Sequence, residues 1–470
     1  MSKKDGVVYT PEDVVKRMLD MAGFFPDIHP ELLTKTIMDN SCGDGNILVA
    51  VAERMCEAMY KNIENLRMNT GSTFAYFEDR LTRAIHGLEL CEEECEKCKD
   101  RLNKVVSKYL RKDVNFSWDI QCCDSLTYDD NRKFDFVICN PPYIRVHDFE
   151  TDISGYEFVE EGMKDMYLAF YELGIRQMKK DGVMCYITPS SWFTSTAGKR
   201  LREYLYENKL ISKIYDYCHQ QVFDDATTYV EITVLDRRRK EYVTYESIET
   251  GKRLAIPYDN FNIDGRFYFT DRDSINVLRS VQGVTYNNIK VKNGYATLAD
   301  DVFIHEVRKD DSPYVIPIVK SSTGNRVWCI YPYDRNGKLI DEYTLAASAP
   351  NSRGFLMDNK AKLLDRSTDE PWYAFGRTQA INDTFKDKWA VKSIIKTIED
   401  INPVEAPAGT GTYGGLYILC DNPEQLECLK TEEFMNYVKS LKKYKSGGYY
   451  TFSSKDLEKY LNWKNAPGMN

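Results

Sequence analysis

No apolar run in this 470-residue chain approaches the ~20 residues needed to cross a bilayer, so no membrane partner is expected. The opening segment MSKKDGVVYTPEDVV has no apolar core of a secretion signal. Thirteen cysteines, an odd number scattered through a long chain, make a poor disulfide framework and fit reduced thiols, so a cytoplasmic protein is expected. The small-residue turn Asp39-Asn40-Ser41-Cys42-Gly43-Asp44-Gly45-Asn46 is not G-x-G-x-x-G and has no Walker lysine, so it lacks the signatures of the usual dinucleotide and nucleoside-triphosphate loops. Internal repeats and biased tracts are missing too. An excess of positive charge is also lacking, since the net charge is -9. That excludes a protein that binds polyanions with its whole surface.

The charge is uneven along the chain. Residues 1–175 carry 21 Lys/Arg against 33 Asp/Glu, a net of -12, whereas residues 176–470 carry 42 against 39, a net of +3. A basic contact surface is therefore expected mostly from the later part, with Arg237-Arg238-Arg239-Lys240 as one candidate and a solvated strand end as its bland reading. The 33 tyrosines and 21 phenylalanines suit base stacking, but they fill ordinary cores equally well.

From about residue 34 to 236 strand and helix patterns alternate. Candidate strands are Thr36–Ser41, Ala84–Leu90, Phe134–Cys139, Val183–Thr188, Ile211–Tyr217 and Tyr229–Leu235, with helical patterns such as Ile47–Met59, Cys91–Tyr109 and Tyr167–Lys179 between most of them. This alternation predicts an α/β, doubly wound, Rossmann-like sheet whose chemistry lies at the carboxyl ends of the strands. After about 240 the alternation fades into short strand-like pieces, Tyr314–Val319, Val327–Tyr331 and Gly414–Leu419, followed by one helical stretch, Glu424–Lys443, and a Gly447-Gly448 break. The expected organisation is a first domain over 1–240 and a second, mixed α+β or β-rich domain over 241–470.

Asn140-Pro141-Pro142-Tyr143 directly follows the apolar strand FDFVIC. A strand that runs into two prolines cannot continue, so its tip becomes a rigid loop at the sheet edge. The Asn140 amide oxygen and the Pro141 carbonyl then offer two fixed acceptors, which suits an NH2 group with two hydrogens to donate. Tyr143 adds a flat face for an extruded base. Asp39-Asn40-Ser41-Cys42-Gly43-Asp44-Gly45-Asn46 follows the strand TKTIM and forms a strand, small-residue turn, helix unit. Its glycines let a ligand approach the backbone, and the strand-end carboxylate can pair with a cationic ligand end. Glu89, followed by Leu90, closes the next strand, where an acid commonly meets ribose hydroxyls. Asp124, after the strand-like DIQCC, is placed to accept from an adenine amine. Taken singly, such acids are more often helix caps or solvated loop residues.

Taken in order, these residues resemble the DNA adenine-N6 methyltransferases of the gamma, TaqI-like arrangement. The resemblance implies S-adenosylmethionine as cofactor and Thr10-Pro11 as the leading motif that closes over its methionine part. It implies Asp39, Ser41, Cys42, Gly43 and Gly45 as the cofactor loop, Glu89 at the ribose with Leu90 beside it as a further cofactor-binding residue, Asp124 at the adenine, and Asn140-Pro141-Pro142-Tyr143 as the catalytic motif. Phe223, in HQQVFDDATTYVEITVL, implies a contact to the flipped base, and ITPSSWF fits a further family strand. Beyond 240 the segments VKNGYATLADDVFI, WYAFGRTQAIN and SGGYYTFSSKDLEKY resemble a TaqI-like specificity domain, which implies Arg377 and Gln379 as DNA contacts. The expected partner is double-stranded DNA, bound by a monomer in a prokaryotic, nucleoid-associated setting. Because the Thr-Pro motif begins at residue 10, any restriction endonuclease is expected as a separate chain. Two departures stand out: Asp39 and Asn40 replace the family's usual Glu and Pro, and residues 61–83 read as an insertion.

Competing readings are an RNA amine, a protein glutamine amide, the N4 amine of cytosine, and a recognition subunit with an inactive fold. Glutamine enzymes usually carry a helical substrate domain before the cofactor fold, and N4-cytosine enzymes more often have Ser in place of Asn140. Carbon-5 cytosine methylation needs a Pro-Cys nucleophile, and no Pro-Cys dipeptide occurs. Cys91, Cys95 and Cys98 have the spacing of an iron-sulfur cluster loop but lie in CEEECEKCKDRL, a strongly helical segment, so no metal is expected.

Overall fold

The structure, a computed structural model, describes residues 9–66, 70–129, 131–145, 151–162, 165–223, 228–238 and 240–468. Arg239 and residues 61–83 in part (67–69) fall outside that set, as do the residues just after Phe223. The chain divides into two compact units, Met1–Ile275 and Asn276–Asn470.

The first unit is built on nine strands: β1 (Ile37–Asp39), β2 (Ile85–Glu89), β3 (Asp119–Cys122), β4 (Phe134–Cys139), β5 (Met178–Pro189), β6 (Ile211–Asp216), β7 (Val230–Asp236), β8 (Tyr242–Ser247) and β9 (Arg253–Pro257). They line up in the order β3-β2-β1-β4-β5-β7-β6-β8-β9. β3, β2, β1, β4 and β5 are mutually parallel, and β7 runs antiparallel between β5 and β6. Parallel neighbours need crossovers, and helices supply them: α1 (Glu12–Ala22) before β1, α2 (Asn46–Leu66) and α3 (Thr70–Ala84) between β1 and β2, α4 (Glu92–Leu110) after β2, α5 (Met166–Gln177) before β5 and α6 (Lys199–Glu207) after it. The chain steps outward from β1 to β2 and β3, then returns to lay β4 on the other side of β1. The carboxyl ends of β1 and β4 therefore flank a topological switch point, the place where such sheets hold ligands.

Both faces of the sheet are covered, which is why its strands read as unbroken apolar runs. Successive side chains alternate between two cores. Ile37, Phe136, Ile138, Cys185 and Ile187 pack with α1, α2, α3 and α4, whereas Met38, Val137, Cys139, Met184 and Tyr186 pack with α5 and α6. Within the segment read as an insertion, α3 buries Phe77 and Leu81 in the first of these cores, so it is a structural layer.

The division expected at 240/241 falls inside the first unit. β8 pairs in parallel with β6, and β9 pairs antiparallel with β8, so the sheet runs on through Pro257. The second unit is mixed. One four-stranded sheet orders Lys290–Asn293, Leu416–Leu419, Lys388–Val391 and Val404–Ala406; another orders Ile304–His305, Arg326–Ile330, Val315–Lys320 and Gly411–Tyr413. The single helix expected over Glu424–Lys443 is replaced by a 3-10 turn at Pro423–Lys430 and an α-helix at Glu432–Ser440. The break is a cap: Thr431 accepts from the backbone amide of Phe434 and starts a new helix. All thirteen cysteines are free thiols. Among the described residues no helix is long and apolar enough to cross a membrane.

Candidate active site

The turn after β1 is shaped by two glycines in the left-handed region, Gly43 at φ +54° and Gly45 at φ +92°. A Cβ on Gly45 would stand 2.5 Å from the Cys98 Sγ of α4, so only glycine fits. The turn is then pinned from all sides. Gly45 N donates to Cys42 O at 2.8 Å and Cys42 N to Leu88 O at 3.0 Å. Arg101 of α4 donates to Asp44 O at 3.0 Å and pairs with its carboxylate at 2.6 Å. Asp39 is only 1% exposed and its Oδ1 takes the Ser41 amide at 3.2 Å, so it closes the turn from inside. Burial pushes its carboxyl up to about 7. Cys42 is buried as well, its thiol hydrogen-bonded to that of Cys98 and pushed well up by that contact and by burial. The open side of the turn belongs to Ser41, Gly43 and Asp44, which are half-buried.

The next two strand ends carry the acids. Glu89, the last residue of β2, accepts from Gly43 N and Cys91 N, both at 2.9 Å, so it is braced by the β1 turn and by the start of α4. Leu90 beside it is 58% exposed, an apolar face left open at this edge. Asp124, just past β3, accepts from Leu126 N at 3.0 Å and from Thr151 Oγ1 at 2.6 Å. Ser125 donates to Asn40 O at 2.6 Å and ties the β3 end to the β1 turn. A carboxylate oxygen has room for a second donor, so both acids keep acceptor capacity for ligand hydroxyls and amines. The glycine cradle, two braced acids and the exposed Leu90 fit a nucleoside-bearing cofactor.

At the tip of β4 Asn140 is held by the N-terminal segment: its Nδ2 donates to Thr10 Oγ1 at 3.0 Å. Asn46, the first residue of α2, donates to Thr10 O at 3.3 Å, and Tyr9 donates to Glu94 of α4 at 3.1 Å. Pro11 has φ -58° and directly precedes α1, whose first turn carries Glu12 and Asp13 to complement the helix dipole. Pro141 is buried and Pro142 half-buried. Tyr143 donates to Ile187 O at 2.9 Å, and its ring meets Phe223 edge-on with centroids 6.0 Å apart. Phe223 is 2% exposed, so the two rings form one aromatic wall beside the Asn-Pro-Pro tip.

Thr10, Asn140, Glu89, Asp124 and the β1 turn are thus joined at the carboxyl end of one sheet. Asn46, at the end of the β1 turn motif, and Ser125 and Thr151, which carry no motif of their own in the sequence, belong to the same network. Of the basic run, Arg237 donates to Ile175 O at 3.1 Å, Arg238 pairs with Asp236 at 3.2 Å, and Lys240 Nζ donates to Asp236 O at 2.7 Å. These described cations serve the unit's own strand end. Cys95 and Cys98 are buried on α4 while Cys91 is exposed, and among the described residues no cluster of His, Cys, Asp and Glu is arranged to hold a metal.

Arg377 and Gln379 sit in the second unit, in a cleft of about 750 Å³ lined also by Gly294, Leu298, Lys362 and Gly415. Both side chains are exposed, and Gln379 Nε2 donates to Gly294 O at 3.0 Å.

Comparison with known proteins agrees with this fold. Residues 58–223 match the family model of the Eco57I restriction-modification methylase. The Type II restriction enzyme and methyltransferase RM.Eco57I of Escherichia coli is 24% identical over 60% of this chain and 35% of its own length. The Type II methyltransferase M.BstVI of Geobacillus stearothermophilus is 24% identical over 72% of this chain and 68% of its own. The chain therefore spans about a third of the first relative and two thirds of the second. Among solved structures, the Type IIL restriction-modification enzyme MmeI, determined in complex with DNA, superposes with a TM-score of 0.66 at 14% identity, covering 97% of this chain and 68% of MmeI. That likeness is one of fold. The doubly wound, Rossmann-like sheet followed by a mixed second unit, expected from the sequence, is the architecture found.

Proposed function

We propose that this chain is a DNA methyltransferase that uses S-adenosylmethionine to methylate the exocyclic N6 amine of adenine. The observation that carries the reading is the Asn140 amide at the tip of β4, held at 3.0 Å by Thr10 and followed by two prolines. Ser41 and Gly43 would hold the amino-acid end of the cofactor, Glu89 its ribose hydroxyls, and Leu90 and Asp124 its adenine. When bound, the cofactor supplies an electrophilic methyl group on a sulfonium.

The chain's own residues do the rest by positioning. The Asn140 Oδ1 and the Pro141 carbonyl accept the two hydrogens of the target amine and turn its lone pair out of the ring plane. With its lone pair so directed, the amine would take up the methyl group that the bound cofactor supplies, and its surplus proton would leave to water. The target base must leave the helix to reach this site, and Tyr143 with Phe223 would receive its ring. The second unit would supply target recognition through the cleft that holds Arg377 and Gln379.

The test is to incubate purified protein with S-adenosylmethionine and unmethylated DNA, digest to nucleosides and analyse by mass spectrometry. N6-methyladenine is expected from the wild type, with Asn140→Ala lowered on the order of 10²-fold or more, as when one preorganised hydrogen bond to a reacting group is lost. N4-methylcytosine would keep the mechanism and overturn the base. Undiminished turnover by Asn140→Ala would overturn the mechanism.

A further inference from the structure

Resting on the functional reading above, we infer that Arg145 grips a phosphate of the target strand, one of the two that flank the nucleotide whose base enters the site. Arg145 stands two residues past Tyr143, so at most ~7 Å of chain separates it from the ring proposed to receive that base. An extruded base stays joined to its sugar, and its two flanking phosphates arrive with it. A cation at this distance therefore meets an anion when the base is seated.

The backbone here is fixed while the head is open. Met166 N, at the start of α5, donates to Ile144 O at 2.9 Å, and Arg145 bridges antiparallel to Asp165. Arg145 itself is exposed, and among the described residues its guanidinium makes no hydrogen bond or ion pair. Asp165, across the bridge, does not close on it: burial raises that carboxyl above its usual range, against the pull of the Arg145 charge. Two arginines on α5 and α6 are committed instead. Arg176 pairs with Glu172, and Arg202 donates to Trp192 O at 2.6 Å and to Ser195 O at 2.7 Å. A guanidinium presents a planar fork of donors that matches two phosphate oxygens, so the open head of Arg145 suits a phosphodiester.

The experiment uses the full chain and a duplex carrying its target, found by sequencing the methylated product. Single phosphates of the target strand are replaced in turn by neutral methylphosphonate. The kcat/KM for methyl transfer is measured for wild type, for Arg145→Ala and for Arg145→Gln, which keeps length without charge. Wild type should lose ~10-fold when one flanking phosphate is neutralised, the scale of a hydrogen bond to a charged group. Both variants should start ~10-fold lower on unmodified DNA and lose less than ~2-fold more at that phosphate, since its partner is already gone. Their cofactor affinity by calorimetry and their melting temperatures should match wild type. Should Arg145→Ala fail to fold, Arg145→Gln gives the same comparison. Variants as sensitive as wild type at both flanking phosphates would overturn the inference, and so would a wild type indifferent to both. A wild type that methylates no DNA would instead overturn the functional reading, and this inference with it.

Discussion

Glu231 lies in β7 with no exposed surface, and its carboxylate gathers four donors. Trp192 Nε1 and Thr188 Oγ1 donate at 2.9 Å, Tyr171 OH at 3.4 Å and Thr233 Oγ1 at 2.5 Å. Burial outweighs these bonds, with the charge of Asp216 adding to it, and pushes the carboxyl up to about 7. In the unfolded chain the same group loses its proton near 4.5. Between these values the folded state binds more protons than the unfolded one, so stability from this site is full below about 4.5 and is lost as pH rises to about 7. Glu231→Gln has no such dependence. The stability of wild type relative to Glu231→Gln should therefore fall from pH 5 to pH 8, by up to about 3 kcal/mol. Urea titrations at the two pH values read it directly, and a gap that does not change with pH would refute it. Asp39 shows the same physics, and neither residue's environment could be read from its neighbours in sequence. A strand-end acid looks identical whether it faces a ligand or closes its own turn.

Elements were legible where the pattern was long and local. Phe134–Cys139 is a strand over the residues that its unbroken apolar run marks, because both faces of a parallel sheet are buried. The NPPY tip was legible for a different reason: its residues are contiguous and two are prolines. The strands β8 and β9 were missed because β8's partner, β6, lies roughly thirty residues back across a run of four cations that looks like a linker, and β9 pairs only with β8. Pairing of that kind is a tertiary fact. The contact between Thr10 and Asn140 is another, spanning 130 positions.

One element-scale consequence concerns the β1 turn and α4. Gly45→Ala must both hold φ +92° and place a methyl 2.5 Å from Cys98 Sγ. The backbone part costs about 1–3 kcal/mol, and the steric part adds to it. Adding Cys98→Ala removes the atom in the way but not the backbone strain. The double variant is expected to regain part, not all, of the stability and cofactor affinity lost by Gly45→Ala. Melting curves and calorimetry on the three proteins test it, and a double variant no better than Gly45→Ala would show that the close approach to α4 is not what keeps this position glycine.

At the scale of the molecule, charge narrows where DNA would be held under the proposed function. With a net of -9, attraction cannot come from the whole surface, and the described cations of the 237–240 run are engaged by their own unit. Arg377 differs from them. It is exposed in the second unit's cleft, its backbone amide is held by Ala296 O at 3.0 Å, and it forms no ion pair among the described residues. A guanidinium held by its backbone yet open at its head is suited to a nucleic-acid acceptor. Arg377→Ala should weaken DNA binding by about 1–3 kcal/mol while leaving cofactor affinity unchanged. The salt dependence tells which acceptor it meets. If Arg377 neutralises a phosphate, the slope of log affinity against log salt falls by about 1 and all sequences weaken alike. If it reads a base edge, the slope stays and discrimination relaxes at one position of the target, visible by sequencing the methylated product. A variant with unchanged affinity, slope and target would place the DNA elsewhere on the second unit, and Gln379, whose amide is already committed to Gly294, would fall with it as a contact.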